Sequence, residues 1–142
     1  MQHLFVYGSL LFPELIEKLT GKNFSFLPAV LFGFQRLAVK GSDYPAIVPE
    51  VNKKVDGMLV LDVDRKSMMI LTYFEGDEYR KDDVVVFSEN KNFNATAFVW
   101  NENLKLLEKF DWDLFSFRET SLKAYLESVV PKTVKEFRNL QT

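Results

Sequence analysis

Two short segments hold the residue types and spacing that could do chemistry. The first is Tyr7-Gly8-Ser9-Leu10, placed between an apolar run and a helical pattern. A strand that ends on Gly-Ser before a helix exposes successive backbone N–H groups, and that concavity suits a carboxylate or a phosphate. Gly8 allows close backbone approach, and Ser9 adds a hydroxyl donor. The second is Phe74-Glu75-Gly76-Asp77-Glu78-Tyr79. A glutamate at a helix C-terminus faces the negative end of the macrodipole, and flanking rings limit its hydration. Both effects raise its pKa toward the range where a carboxylate takes and returns protons near neutrality, provided it points inward. Asp77 and Glu78 read as solvated neighbours. The acids together lack the spaced oxygen ligands of a calcium loop.

Composition removes other chemistries. The 142 residues include no cysteine and one histidine, His3, so thiolate metal sites, cysteine nucleophiles and a His-based zinc cluster cannot be assembled within one chain. His3 itself reads as a packed or edge residue of the first strand. Lys and Arg number 18 against 20 Asp and Glu, interspersed, with no basic run to follow a phosphate backbone, so no nucleic acid is expected. No apolar stretch approaches the ~20 residues that span a bilayer, and the N-terminus lacks a basic leader and cleavage site. The expectation is a cytoplasmic protein with no membrane association, a monomer or weak homodimer. The 14 Phe, 5 Tyr and 2 Trp point to a large aromatic core, with a few rings available to line a pocket.

The elements that must position these segments follow from periodicity. Leu4 to Tyr7 reads as a buried strand stopped by Gly8. Phe12, Leu15, Ile16 and Leu19 share one helical face, with Pro13 in the first turn and Gly21 as the stop. Phe24 to about Lys40 reads as one long bent strand or two short ones. Ala46–Val48 and Val55–Val63 are further strands, with Asn52-Lys53-Lys54 as a turn between them. Asp64 caps a short helix that ends at Gly76. Val84–Phe87 and Phe93–Trp100 form a hairpin around Glu89–Asn92. After Trp112 a helix through Leu122, Tyr125, Leu126 and Val129 should end at Pro131, and Thr133 with Glu136 has the spacing of a capping box for a final helix. Strands dominate the middle and no linker divides residues 1–142. The expected fold is therefore a single α+β domain with a curled mixed or barrel-like β-sheet and a few short helices. Neither a G-x-G-x-x-G nor a Walker lysine motif is present.

Taken in order, Val6-Tyr7-Gly8-Ser9-Leu10, Gly33-Phe34-Gln35-Arg36, Tyr44-Pro45-Ala46-Ile47, Val55-Asp56-Gly57-Met58-Leu59 and Phe74 to Tyr79 resemble the γ-glutamylcyclotransferase-like family, in its short avirulence-induced-protein-like branch. The C-terminal third matches loosely. The family often places Arg two residues after the last Tyr, whereas here Arg80 and then Lys81 follow Tyr79. The resemblance implies an enzyme acting on a small γ-glutamyl-amine or γ-glutamyl-peptide. The substrate's α-amine attacks its own γ-carbonyl and releases 5-oxoproline, with no cofactor, metal, thiol or histidine required. It further implies that Tyr7, Gly8, Ser9 and Leu10 bind the glutamyl end, that Glu75 is general base and then general acid, and that Tyr44 borders the pocket. Arg36 either borders it too or forms a structural ion pair. A non-catalytic small-ligand receptor using the same pocket is the alternative. The leaving group is expected to be chosen around Gly41-Ser42-Asp43 and in the C-terminal third.

Overall fold

The computed structural model describes residues 1–141. Five strands close into a barrel in the order β1-β3-β2-β4-β5. They are β1 (Gln2–Val6), β2 (Phe26–Ala38), β3 (Pro45–Val63), β4 (Tyr79–Ser88) and β5 (Lys91–Trp100). Neighbouring strands pair antiparallel except β1 and β5, whose parallel pairing sets Leu4 beside Thr96 and Phe5 beside Ala97 and closes the ring.

Strand alternation divides the core in two. Phe5, Tyr7, Leu31, Ile47, Leu59, Val86, Ala97 and Val99 fill the barrel interior. Leu4, Val6, Val60, Val63 and Phe98, from the opposite faces of the same strands, meet the helices outside. The period-2 expectation for β5 therefore holds, and both of its faces are buried from Ala95 to Trp100. The outer layer contains α1 (Pro13–Thr20) and α2 (Arg65–Glu75). Pro13 occupies the first turn of α1, and Gly21, at φ 73°, caps its end. Asp64 caps α2 by accepting a hydrogen bond from the Ser67 N–H at 3.2 Å. The β4–β5 hairpin turns on Glu89 and Asn90, at φ 50° and 64°, the left-handed pair that matches strand twist.

Two elements differ from expectation. No turn separates Ala46–Val48 from Val55–Val63, because β3 runs continuously through Asn52-Lys53-Lys54. Asn52 does adopt the left-handed conformation, at φ 67°, but the extra residues are absorbed as a bulge opposite Gly33, where the β2 register shifts between Phe32 and Phe34. Pro131, in turn, does not end a helix. The chain runs from α3 (Leu114–Thr120) into α4 (Leu122–Ala124), a π-helical turn (Tyr125–Val129) and α5 (Val130–Leu140). Pro131 sits in the first turn of α5, where its missing N–H is tolerated, and the widened π turn before it relieves the ring. Thr133 accordingly caps nothing; its hydroxyl donates to the Val129 carbonyl at 2.9 Å. Among the described residues no helix is long and apolar enough to cross a membrane.

Candidate active site

β1 delivers the Tyr7–Leu10 segment to one end of the barrel, and the last turn of α2 delivers Glu75 to the same place. They line one cleft together with Phe5, Val6, Tyr44, Pro45, Tyr79 and Phe98. The six residues singled out from sequence for this site, Tyr7, Gly8, Ser9, Leu10, Tyr44 and Glu75, are thus brought together. The cleft is tight, with about 20 Å³ of open space, room for one water-sized molecule.

The turn works through its backbone. Ser9–Leu11 forms a single 3-10 turn, in which the Leu11 N–H donates to the Gly8 carbonyl at 2.9 Å. The N–H groups of Gly8, Ser9 and Leu10 donate to no protein acceptor among the described residues. The Leu10 side chain packs into the helix-facing core, so only its backbone serves the cleft. Gly8 is required by space. A Cβ there would lie 2.8 Å from Pro45 Cγ and 2.9 Å from Cδ. The Tyr7 ring points into the barrel, and its hydroxyl donates to the Phe98 carbonyl at 2.6 Å.

Arg36 fixes this turn from behind. Its Nη1 donates to the Tyr7 carbonyl at 2.8 Å, while Nε and Nη2 hold both carboxylate oxygens of Asp111 at 2.7 and 3.2 Å. Of the alternatives for Arg36, the ion pair is the one observed; Arg36 does not line the cleft but holds the Tyr7 carbonyl from outside it. The trans peptide unit carries its C=O and N–H in opposite directions, so pinning the Tyr7 carbonyl also fixes the direction of the Gly8 N–H.

Glu75 is the last residue of α2. The residue is half-buried with an edge open to the cleft, and burial pushes its pKa from 4.5 to about 8. Desolvation of the charged form is the cause; the helix end is not needed to explain it. No hydrogen bond reaches this carboxyl from any described residue. The hydroxyls around it are committed elsewhere. Tyr79 donates to the Pro45 carbonyl at 2.7 Å, Tyr44 to Glu78 Oε1 at 3.1 Å, and Tyr125 to Asp43 Oδ1 at 2.8 Å. Burial, followed by the nearby Glu75 charge, raises the pKa of Tyr7 and of Tyr79, and both remain protonated.

Glu78, expected to be solvated, is half-buried and orients Tyr44, because Tyr44 projects across the cleft toward it. Asp77 is exposed as expected. Arg80 turns away from the cleft to Asp82 and the Trp100 carbonyl, so this cation does not enter the site. His3 is an edge residue, accepting from the Asp62 N–H at 3.1 Å. No group of acids and histidine among the described residues is placed to hold a metal ion. Tyr79 and Tyr125 are not singled out as site residues by the sequence, and Asp43 enters only within the Gly41-Ser42-Asp43 segment expected to choose the leaving group. Tyr79 had a signal, since it closes the Glu75 motif, whereas the Asp43–Tyr125 pair joins segments with no shared local pattern.

A family described as γ-glutamyl cyclotransferase, AIG2-like, matches residues 4–114, which include every residue lining this cleft. The chain belongs to that family. AIG2-like protein D of Arabidopsis thaliana is 28% identical over 140 residues, covering 96% of this chain and 89% of its own length. AIG2-like protein C of the same plant is 30% identical over 134 residues, covering 88% and 78%. A solution structure from Arabidopsis thaliana superposes with a TM-score of 0.70 at 26% identity, covering 90% of this chain and 87% of that one. A structure titled γ-glutamyl cyclotransferase superposes at 0.63 with 18% identity, covering 75% and 68%, a likeness of fold. The family match ends at Leu114, the first residue of α3. The rest of α3 to α5, Tyr125 included, follows the matched residues, while the likeness to AIG2-like protein D extends over 96% of this chain.

Proposed function

We propose that this AIG2-like cyclotransferase releases 5-oxoproline from a small γ-glutamyl-amine or γ-glutamyl-peptide, with Glu75 moving the protons. The observation that supports it most is the pattern of unmet groups in one cleft: a half-buried carboxyl that accepts from no described residue, beside backbone N–H groups that donate to none. An α-ammonium answers the first need, and a carboxylate or a developing oxyanion answers the second.

In the reaction the α-nitrogen bonds to the γ-carbonyl carbon and the bond from that carbon to the leaving nitrogen breaks. The α-ammonium begins with three protons and the lactam keeps one. Glu75 relays the other two to the leaving nitrogen, which departs as an ammonium. A carboxyl with its pKa near 8 matches an α-ammonium closely, so the shared proton passes in either direction with little driving force lost. The N–H groups of Gly8, Ser9 and Leu10 grip the glutamyl end and stabilise charge on the former carbonyl oxygen. Tyr44 borders the bound chain. Cyclisation is intramolecular, so a folded substrate gains an effective molarity on the order of 10⁵ M before any proton moves.

The test is a panel of γ-glutamyl compounds assayed for 5-oxoproline. Wild-type protein should release it from at least one class, and Glu75→Gln should lower kcat by about 10²- to 10⁴-fold. Full activity in Glu75→Gln overturns the mechanism. Ligand binding without any product favours a receptor instead.

A further inference from the structure

Past the residues of the family match, Tyr125 contacts the neighbours of two cleft residues, Asp43 beside Tyr44 and Phe74 beside Glu75. Tyr125 opens the π-helical turn (Tyr125–Val129) and is half-buried. Its ring packs edge-on against Phe74, the neighbour of Glu75, with centroids 6.3 Å apart, and against Phe117 at 5.0 Å. Its hydroxyl donates to Asp43 Oδ1 at 2.8 Å. Asp43 precedes Tyr44 on the β2–β3 loop, and the Trp112 indole N–H holds its carbonyl at 2.8 Å. Tyr125 therefore joins the two lips of the cleft, the end of α2 on one side and the β2–β3 loop on the other.

The dimensions give this bridge its meaning. About 20 Å³ of space lies within the cleft, and a γ-glutamyl group is several times larger than the water-sized molecule that would fit. The lips have to part for entry. The contact that joins them at Tyr125 is a single hydrogen bond to an exposed carboxylate. With the glutamyl end at Gly8–Leu10 and its γ-carbon beside Glu75, the substituent on the amide nitrogen must leave through that mouth. It passes the face of Tyr125 and the carboxylate of Asp43.

We infer that Tyr125, latched to Asp43 across the cleft mouth, is the residue that decides which leaving groups the enzyme accepts. The inference rests on the cyclotransferase reading for the class of substrate. The ring limits the girth of the amide substituent, and the latch sets how readily the mouth opens to it. Placement in a π turn suits the role, because such turns within helices recur at functional sites.

The experiment compares wild type, Tyr125→Phe, Asp43→Ala and Tyr125→Ala on γ-glutamyl amides graded from the primary amide through short to branched alkylamides. It reads the ratio of kcat/KM for the branched to the primary amide, together with calorimetric affinities for the same compounds. Tyr125→Ala should raise the ratio about 10-fold, as expected when a steric wall of a pocket is removed. Tyr125→Phe and Asp43→Ala, which break the latch and keep the packing largely intact, should each change it by about 3-fold. A purely structural tyrosine would lower all rates together and leave the ratio alone. An unchanged ratio in the folded Tyr125→Phe and Asp43→Ala variants overturns the inference and spares the cyclotransferase reading. Size-dependent binding that changes with Tyr125, without 5-oxoproline, overturns that reading and keeps the gate. Neither binding nor turnover by wild type overturns both.

Discussion

Replacing Glu75 by Gln separates what this carboxyl does for the reaction from what it does to the fold. In the folded chain burial moves its pKa from 4.5 to about 8. Between those values the folded protein holds a proton that the unfolded chain has released, so stability falls as pH rises through the window and levels off above about 8. The slope is about 1.4 kcal/mol per pH unit where the two states differ by one full proton. From pH 5.5 to 7.5 Glu75 therefore removes up to about 3 kcal/mol of stability, and less to the extent that water at the open edge of the cleft solvates the charge. Glutamine keeps the shape and never ionises. Urea unfolding at a series of pH values should show Glu75→Gln gaining on wild type as pH rises, by about 2–3 kcal/mol over that interval, while losing its activity. Contributions of distant groups cancel in the difference. The wild-type kcat/KM should rise with pH through about 8, and that step should vanish in the variant. Parallel stability curves for the two proteins would refute a buried, high-pKa Glu75 and, with it, the base assigned to this cleft.

Three other substitutions test the frame around it. Gly8→Ala places a Cβ 2.8 Å from Pro45 Cγ and should destabilise by about 1–3 kcal/mol while weakening substrate binding, read by a thermal melt and by KM. Arg36→Lys loses the two-oxygen grip on Asp111 and should cost about 1–3 kcal/mol in denaturant, with a KM increase that Asp111→Asn reproduces in part. Asp64→Ala removes the cap of α2 and should lower stability by about 1 kcal/mol in the same assay, with little effect on KM because Asp64 sits at the opposite end of the helix from Glu75.

The parts of the fold that could be read from sequence are those decided by neighbouring residues. Pro13 and Gly21 bound α1, Asp64 and Gly76 bound α2, and the alternating Phe93, Ala95, Ala97 and Val99 mark one face of β5. The Tyr7–Leu10 turn and Glu75 were also visible as separate motifs. That they share one cleft depends on α2 packing beside β1, which no local pattern encodes. Asn52-Lys53-Lys54 misled because turn propensity is local, whereas pairing with β2 on both sides of the bulge keeps β3 one strand. Pro131 misled for a related reason. It forbids an N–H partner but not the first turn of a helix, and a π turn upstream let two helical segments merge. Glu78 was read as solvent-facing because its partner, Tyr44, comes from a distant loop.

The tyrosines around the cleft explain how Glu75 stays a strong proton acceptor in a site lined with hydroxyls. A hydroxyl that donated to the carboxylate would stabilise its charged form and pull the pKa back toward the ordinary range. Each nearby phenol is instead engaged elsewhere. Tyr7 donates to the Phe98 carbonyl and Tyr79 to the Pro45 carbonyl, while Tyr44 and Tyr125 donate to Glu78 and Asp43. The barrel supplies the first two acceptors from its own strand ends, so the geometry that closes β5 and starts β3 also withholds donors from Glu75. The carboxyl is left without a donor among the described residues, and in the cyclotransferase proposal the substrate's ammonium supplies one. On that proposal binding and activation coincide: the contact that seats the substrate is also the one across which its proton would leave.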